Sequence, residues 1–522
     1  MQTHSFKRTL AAAGVLALMA AGAQAATWTT LAHAAPGGTG IMLQLTDGTV
    51  MVKSGNAAWS RLSPAANGSY SDGTWSSLAP MGTGRLYFAS QVLQDGRVWV
   101  LGGEYSGPAM AANWTNTGEI YDPVANTWTP IANFPERQYG DVPSMLMQGG
   151  KIFAGSLTTN KSYYYDIASN TWSQTGSKVY ADQSDEESWV RLPDGRVMTY
   201  DLFQSFGTGG AYAEAFSPAT NTWSSVSPSD GTAAGTIPQL SSNALGAELG
   251  AGLLLRRSSA AGDVLFIGAT GHTGIYTIGT NTWNAGPDVI GTFNGQQVLF
   301  GADDAPSAEM PSGHVLLAAD AGPSQGTFSG PTELFDFNPA TRTIAPVQPA
   351  FPRPQALTGS AFGMNMLVLP TGQILVSLGS TSLYLYTPDG VAPKASQPTI
   401  GKLNYTGSGK FTLQGKQLDG VSAGAAYGDD NQMDENYPIV RLTSATDGTV
   451  YYARSTNWSK VSVADTSVQT VDFTLKPGTP AGNYSIVVSG AGVQSNPSCI
   501  VITAKEAAGT GPAKAVKLNA CQ

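Results

Sequence analysis

Hydrophobic positions in this chain fall in short paired runs, each pair folded about a glycine. Leu43 to Leu45 and Val50 to Val52 flank Thr46-Asp47-Gly48, and Val92-Leu93 and Val98 to Leu101 flank Gln94-Asp95-Gly96. The same phrase returns at Gln148-Gly149-Gly150, Pro193-Asp194-Gly195, Ala261-Gly262-Asp263, Pro311-Ser312-Gly313 and Pro370-Thr371-Gly372. Short apolar runs about a tight Gly turn predict antiparallel strand pairs. The turn glycines stand between 45 residues apart (Gly150 to Gly195) and 67 apart (Gly195 to Gly262). That is the period of a four-stranded propeller blade, so the repeats predict a seven-bladed ring.

A second pattern follows each pair. Gly118-Glu119-Ile120-Tyr121-Asp122-Pro123 leads to Asn126-Thr127-Trp128, Tyr164-Tyr165-Asp166 to Asn170-Thr171-Trp172, Ala215-Phe216-Ser217-Pro218 to Asn221-Thr222-Trp223, and Ile275-Tyr276-Thr277 to Asn281-Thr282-Trp283. Phe335-Asp336-Phe337-Asn338 is followed by a divergent Thr341-Arg342-Thr343-Ile344. Asp-Pro and Asn-Thr between aromatics are turn chemistry, and the Trp is an apolar plate for the gap between blades. The order of Gly turn, Gly102-Gly103, Tyr-Asp strand and Trp strand resembles the kelch motif. The last repeat, Leu383-Tyr384-Leu385-Tyr386, has no Trp strand after it, whereas Ala26-Thr27-Trp28-Thr29-Thr30-Leu31 is a Trp strand with nothing before it. The N-terminal strand is therefore expected to complete the last blade, which closes the ring and removes an exposed edge.

These patterns divide the chain into a propeller over 26–391, a Pro/Ser/Ala linker at 392–398, short alternating strands over 399–504 that read as an immunoglobulin-like sandwich, and a loose tail over 505–522. The fold class is all-β. With 62 Gly, 11 Trp and 20 Tyr against only 12% charged residues, the composition agrees with a Gly-turned, aromatic-packed β protein rather than a helical one. A net charge of -9 without a basic stripe argues against nucleic acid or an anionic membrane as partner. Lys7-Arg8, the apolar run Leu10 to Ala21 and Ala23-Gln24-Ala25 read as a signal peptide over 1–25, too short in its apolar part to span a bilayer. The mature chain is then expected to be periplasmic or secreted, with no membrane span. In that compartment Cys499 and Cys521 could pair or stay as thiols.

A propeller followed by such a sandwich resembles the galactose oxidase and glyoxal oxidase family. The stretch Gly84-Arg85-Leu86-Tyr87-Phe88-Ala89-Ser90, with Asp95 to Gly103, carries that resemblance. So does Ala491-Gly492-Val493-Gln494-Ser495-Asn496-Pro497, which is similar to the family's early-set domain. The resemblance places Arg85 at a sugar-contacting position. It also implies copper between two His and two Tyr, one Tyr cross-linked to a propeller Cys. This propeller has no Cys, and no His follows His314. The imidazole and thiolate donors that suit copper are missing, so no copper site and no resident cofactor are expected.

Candidate chemistry then rests on residues just before the inner strands, where loops reach one face of the ring. They are Arg85 and Tyr87, then Arg137, Tyr139 and Asp141, then Asp185, Glu186 and Glu187, then Glu248, then Asp303 and Asp304, with Glu309 further along its strand. Loops holding His272 and His33 open on that face, and His314 on the other. Glu187, Asp304 and His272 are the candidates for acid/base catalysis on a glycosidic bond or uronic acid. Arg85, Tyr87, Tyr139, Asp141, Glu186, Glu248 and Asp303 are candidate ligand contacts. The carboxylates could instead hold Ca²⁺, or simply bond loop amides. Gly428 to Asn436 is acidic but lacks EF-hand spacing, so it reads as a polar inter-strand loop. Trp114 and Trp59 could stack on sugars, though a Trp in such a repeat more often packs. The function expected is binding of a glycan or extracellular polymer at the mouth of the ring, the alternatives being a carbohydrate hydrolase or lyase, or an oxidase with an unusual metal site.

Overall fold

The computed structural model describes residues 25–242, 245–255, 263–322, 327–424 and 436–521. The turn at Gly262, residues 428–435 of the acidic run and nearly all of the N-terminal 1–25 segment lie outside them. Seven antiparallel sheets form the ring. Their first strands are Met42–Gln44, Ala89–Val92, Ser144–Met147, Trp189–Arg191, Leu249–Leu255, Ser307–Glu309 and Asn365–Val368, all fully buried. First strands of neighbouring blades touch one another, which makes them the inner wall. Outer strands such as Thr74–Ser77 and Thr127–Pro130 keep only their Trp half covered.

The repeated residues explain the blades. At the hairpin turns Gly48, Gly96, Gly195, Gly313 and Gly372 have positive φ, and Asp47, Asp95 and Asp194 accept the amide two residues on. In the outer turns Asn126, Asn170 and Asn281 adopt left-handed φ near 50°. Each Asn side-chain oxygen accepts from the Tyr hydroxyl of its own blade (Tyr121, Tyr165, Tyr276), always at 2.8 Å. The Trp then joins blades. Trp75, Trp128, Trp172 and Trp283 donate their indole N–H to the carbonyls of His33, Ala79, Ala132 and Val226 in the preceding blade's exit segment. Ile344 stands in the divergent repeat, where this bond is absent.

Thr27–Thr30 pairs with Leu383–Thr387, Trp28 facing Tyr386, so the first strand is the outer strand of the last blade. Trp28 donates to the Pro349 carbonyl of the blade before, continuing the series. A ten-stranded sheet beginning at Thr399–Gly407 curls into the C-terminal sandwich. The tail is not loose. Thr503 and Glu506 form a capping box on the helical turn Ala504–Ala507, and Lys514–Val516 and Asn519–Ala520 add strands to the sheet. Cys499 is bonded to Cys521. The tail's alternating Ala, Gly and Lys hid strands whose order comes from pairing and the covalent tie.

The sandwich docks on the Gly-turn face. Tyr437 donates to the Gln44 carbonyl, Arg454 to the Asp95 carbonyl at 2.5 Å, and Gln94 to the Trp458 carbonyl. A Cβ on Gly48 would lie 2.2 Å from the Tyr452 ring, so this turn needs glycine for approach as well as for its φ of 78°. The opposite face carries the loops entering the inner strands. Among the described residues no helix is long and apolar enough to cross a membrane.

Candidate functional site

On that open face a cleft of about 440 Å³ is lined by Glu104, Trp114, Gln138, Asp141, Leu157, Thr158, Asp185, Glu186 and Glu248. Its acids come from two kinds of loop. Asp141, Asp185, Glu186 and Glu248 precede inner strands. Glu104 and Trp114 sit in the loop between Val98–Leu101 and Gly118–Asp122, where the Trp114 amide donates to the Glu104 carbonyl at 3.0 Å. Tyr87, Asp141, Glu186 and Asp304 all have φ between 51° and 57°, a left-handed conformation at matching places in four blades. Non-glycine residues seldom adopt it, and its recurrence turns the chain sharply just before each inner strand.

Glu186 is the centre. Carboxylate oxygens of Asp141, Asp185 and Glu186 lie within 4.8 Å of one another, and so do those of Glu186, Glu248 and Asp304. The Glu186 amide donates to the Asp141 carbonyl at 2.7 Å, which ties the two blades. Burial, then the charges of Asp141, Glu248 and Asp304, push the Glu186 carboxyl well above its usual range. Burial with Glu104 raises Asp185 to about 7, and burial with Asp303 raises Glu248 to about 8. Asp303, raised by burial to about 7, accepts the Glu248 amide at 3.2 Å and the Phe328 amide at 3.3 Å. Asp303 is thus a strut beneath the cleft. Tyr87 is half-buried beside it, edge-on to Tyr105 at 5.8 Å, and its carbonyl accepts from Glu104 and Asp141.

Other residues with the same sequence placement turn away. Arg85 is fully buried. It donates to the carbonyls of Gly102 (2.6 Å) and Thr117 (2.7 Å), to the Thr117 hydroxyl (3.0 Å) and to Glu119 (3.1 Å), so it braces its blade and offers nothing to a sugar. Tyr139 is also fully buried, packed on Phe134 at 4.8 Å, with its hydroxyl on the carbonyls of Val142 and Pro143. His272 pairs with Asp288 at 2.7 Å and does not line the cleft. His314 pairs with Asp336 at 3.0 Å. Trp59 is buried packing. Glu309 is buried within its strand.

Glu187 belongs to a second, interior group. The Lys178 ammonium, fully buried, lies 2.6 Å from Glu187, 3.1 Å from Asp182 and 3.2 Å from Asp201, and it also donates to the Gln183 carbonyl. Glu214 accepts the Val179 amide. Trp189 donates its indole N–H to Glu187 at 3.1 Å. Burial opposes the charge on Lys178, but the facing carboxylates of Glu187, Asp201, Asp182 and Glu214 outweigh it and hold the ammonium protonated. Burial, reinforced by a hydrogen bond to Asp201, raises Asp182 to about 8 and Glu214 to about 10. Burial would raise Asp201 too. Lys178 and the hydrogen bonds from Asp182 and Glu214 instead hold it down to about 2. These four acids therefore have their cation already, and Glu187 faces it rather than the mouth.

The cleft's donors are oxygens, which suit hard cations such as Ca²⁺ and not copper. The two histidines with resolved ring contacts are engaged by Asp288 and Asp336, and the propeller supplies no thiol. Among the described residues, the lining of the cleft includes no His, Cys or Tyr.

The kelch-motif model matches residues 85–135. That stretch of the seven-bladed propeller carries a kelch motif. The chain is 27% identical over 124 residues to the Kelch-like protein terF of Aspergillus terreus, covering 23% of this chain and 25% of that protein. It is 44% identical over 57 residues to the F-box/kelch-repeat protein At5g03020 of Arabidopsis thaliana, covering 11% of this chain and 16% of that one. The chain thus aligns with a quarter or less of these curated relatives' length. Among solved structures, a fungal alcohol oxidase of the AA5 family in complex with copper aligns over 89% of this chain and 85% of its own. It is 16% identical, with a TM-score of 0.36.

Glu104 and the Lys178 network were not among the sequence candidates. Glu104 directly follows Gly102-Gly103, and that pair marks the loop that crosses back to the mouth. For Lys178 no local signal exists, because its partners are spread from 182 to 214.

Proposed function

We propose that this is a periplasmic or secreted kelch propeller that binds a glycan or cell-surface polymer through its mouth. One observation carries the reading: an open cleft lined by Trp114 and five acidic side chains, Glu104, Asp141, Asp185, Glu186 and Glu248. An indole can lie on the apolar face of a sugar ring, and carboxylates accept from its hydroxyls. The set around Glu186 also has the oxygen chemistry to hold Ca²⁺, which could bridge to sugar hydroxyls or a uronate. The Cys499–Cys521 bond supports an oxidising compartment.

The test is a glycan array probed with Ca²⁺ and with chelator, followed by titration of each hit against Glu186→Gln and Trp114→Ala. Both variants should weaken binding at least tenfold. Wild-type binding that neither variant changes would move the site elsewhere. A second reading is favoured by one observation: carboxyls raised to about 7 at Asp185 and about 8 at Glu248 keep a proton near neutrality, as a general acid requires. Release of reducing ends from a bound polysaccharide, lost in Glu248→Gln, would establish a hydrolase instead.

A further inference from the structure

The segment that carries Asp185 and Glu186 is the connection from Thr171–Gln174 to Trp189–Arg191, and it is wrapped around a single side chain. Lys178 reaches forward beneath it and contacts Asp182 at 3.1 Å, the Gln183 carbonyl at 2.9 Å and Glu187 at 2.6 Å. These contacts bracket the two residues that face the cleft. The same ammonium lies 3.2 Å from Asp201, the cap of the helix Leu202–Thr208, so the segment is held against the body of its blade. Three N–H donors thus serve four acceptors around an ammonium that is itself wholly buried.

Charge in this space has to balance. One ammonium faces four carboxyl groups: Asp182 and Glu187 from the segment, Asp201 from the helix cap and Glu214 from the strand Ala213–Ser217. All four ionised would leave three uncompensated negative charges without solvent, which burial does not tolerate. Oxygens of Asp182, Asp201 and Glu214 lie within 4.8 Å of one another. Asp201 Oδ2 faces the Lys178 ammonium at 3.2 Å, and Glu214 Oε1 is buried without a hydrogen-bond donor. Protons on Asp182 and Glu214 let each carboxyl donate to Asp201 instead of repelling it. Removing those protons turns attraction into repulsion around Asp201, where Asp182 ties the start of the segment to its blade.

We propose that Lys178 is a positioning residue for the mouth: its ammonium holds residues 182–187 from within and so presents Asp185 and Glu186 to the cleft, and the segment loosens as the facing carboxyls lose their protons at alkaline pH. The role in ligand binding rests on the reading of the mouth given above, but the loosening does not. It is measured first, by amide hydrogen exchange on the whole chain at pH 6 and pH 9, corrected for intrinsic rates. Protection at 183–187 should fall at least tenfold at pH 9, while the neighbouring strand Val197–Tyr200 keeps its protection. Lys178→Met should show the same local loss already at pH 6. Equal loss throughout the blade, or none at 183–187, overturns the proposal. Should Lys178→Met fail to fold, the pH series is run on Asp185→Asn/Glu186→Gln/Glu248→Gln, which removes the mouth acids that titrate in the same range; the same fall at 183–187 keeps the proposal, and its disappearance overturns it.

The second measurement is affinity for a glycan hit at pH 6. Lys178→Met should bind at least tenfold more weakly, while Ile275→Val in the next blade, a packing change far from the segment, binds as wild type does. Wild-type affinity in a Lys178→Met protein whose segment exchanges fast would overturn the positioning role. A wild-type protein that binds no glycan sinks the reading of the mouth, and the exchange data still decide the latch.

Discussion

Arg85→Met tests whether the residue that most resembles a sugar contact is a structural brace. The guanidinium is wholly buried and makes four hydrogen bonds, three of them to Gly102 and Thr117 and one, at 3.1 Å, to Glu119. Glu119 also accepts the amides of Gly82 (2.7 Å) and Thr83 (3.2 Å). The pair therefore pins the segment entering the inner strand to the blade's third strand. Methionine fills much of the volume but leaves Glu119 charged and the Gly102 and Thr117 carbonyls without their donor. Breaking one side of a buried pair costs about 3–5 kcal/mol. With an m-value near 3 kcal/mol per M for a domain this large, the urea midpoint should fall by about 1 M or more. A chain of two domains need not unfold in one step. The shift should therefore appear in the propeller transition, followed by pulse proteolysis with peptide mapping, and not in the sandwich. Arg85→Lys keeps the charge but not the planar fork, and should fall between the two. At low urea the folded Arg85→Met protein should bind any mouth ligand within about twofold of wild type. The reasoning fails if the midpoint is unchanged, or if stability is kept and affinity is lost.

Three further outcomes follow from the same geometry. Asp182 and Glu214, raised to about 8 and 10, keep protons in the folded state that the unfolded chain releases near pH 4. Their contribution to stability is fully present below that point and declines as pH rises towards 8, by about 1.4 kcal/mol per pH unit for each proton retained. Urea midpoints at pH 5 and 7.5 check this, and an equal or higher midpoint at 7.5 contradicts it. Asn126 has φ of 54° and accepts from both the Tyr121 hydroxyl and the Ala79 amide. Asn126→Gly and Asn126→Ala lose the same bonds, so the alanine variant should be less stable by the backbone cost alone, about 1 kcal/mol; equal melting would refute the strain. Replacing Cys499 and Cys521 by Ser opens a link across 22 residues. It should cost at most about 3 kcal/mol in the sandwich, read by calorimetry, with the propeller transition unmoved.

The architecture was legible because it repeats. Asp-Gly turns, the Asn that tolerates left-handed φ, the Tyr whose hydroxyl reaches it and the Trp that bonds the previous blade form one local circuit within each blade or across one blade boundary. Each copy is visible in sequence without knowing the others. The tail was misread for the opposite reason: Lys514–Val516 has little pattern of its own and becomes a strand only by pairing with Leu403 to Tyr405.

The candidate site was legible by position but not by direction. Residues that precede inner strands do converge on one face, and Asp141, Glu186, Glu248 and Asp304 come together there. Arg85, Tyr139 and Glu187 share that placement and are buried. Glu186 and Glu187 show the reason. With Glu186 at φ 57°, the chain reverses between neighbours, so one carboxyl faces the cleft and the next faces Lys178. Sequence carries the order of the two acids but not which way a left-handed residue sends each. The distinction is then electrostatic. The interior acids are satisfied by one ammonium and shared protons, whereas among the described residues Asp185, Glu186 and Glu248 have no Lys, Arg or His within ion-pair distance. Acids that the fold has already neutralised add stability. On the function proposed above, the acids at the mouth, which no described Lys, Arg or His neutralises, are the ones that would meet a ligand.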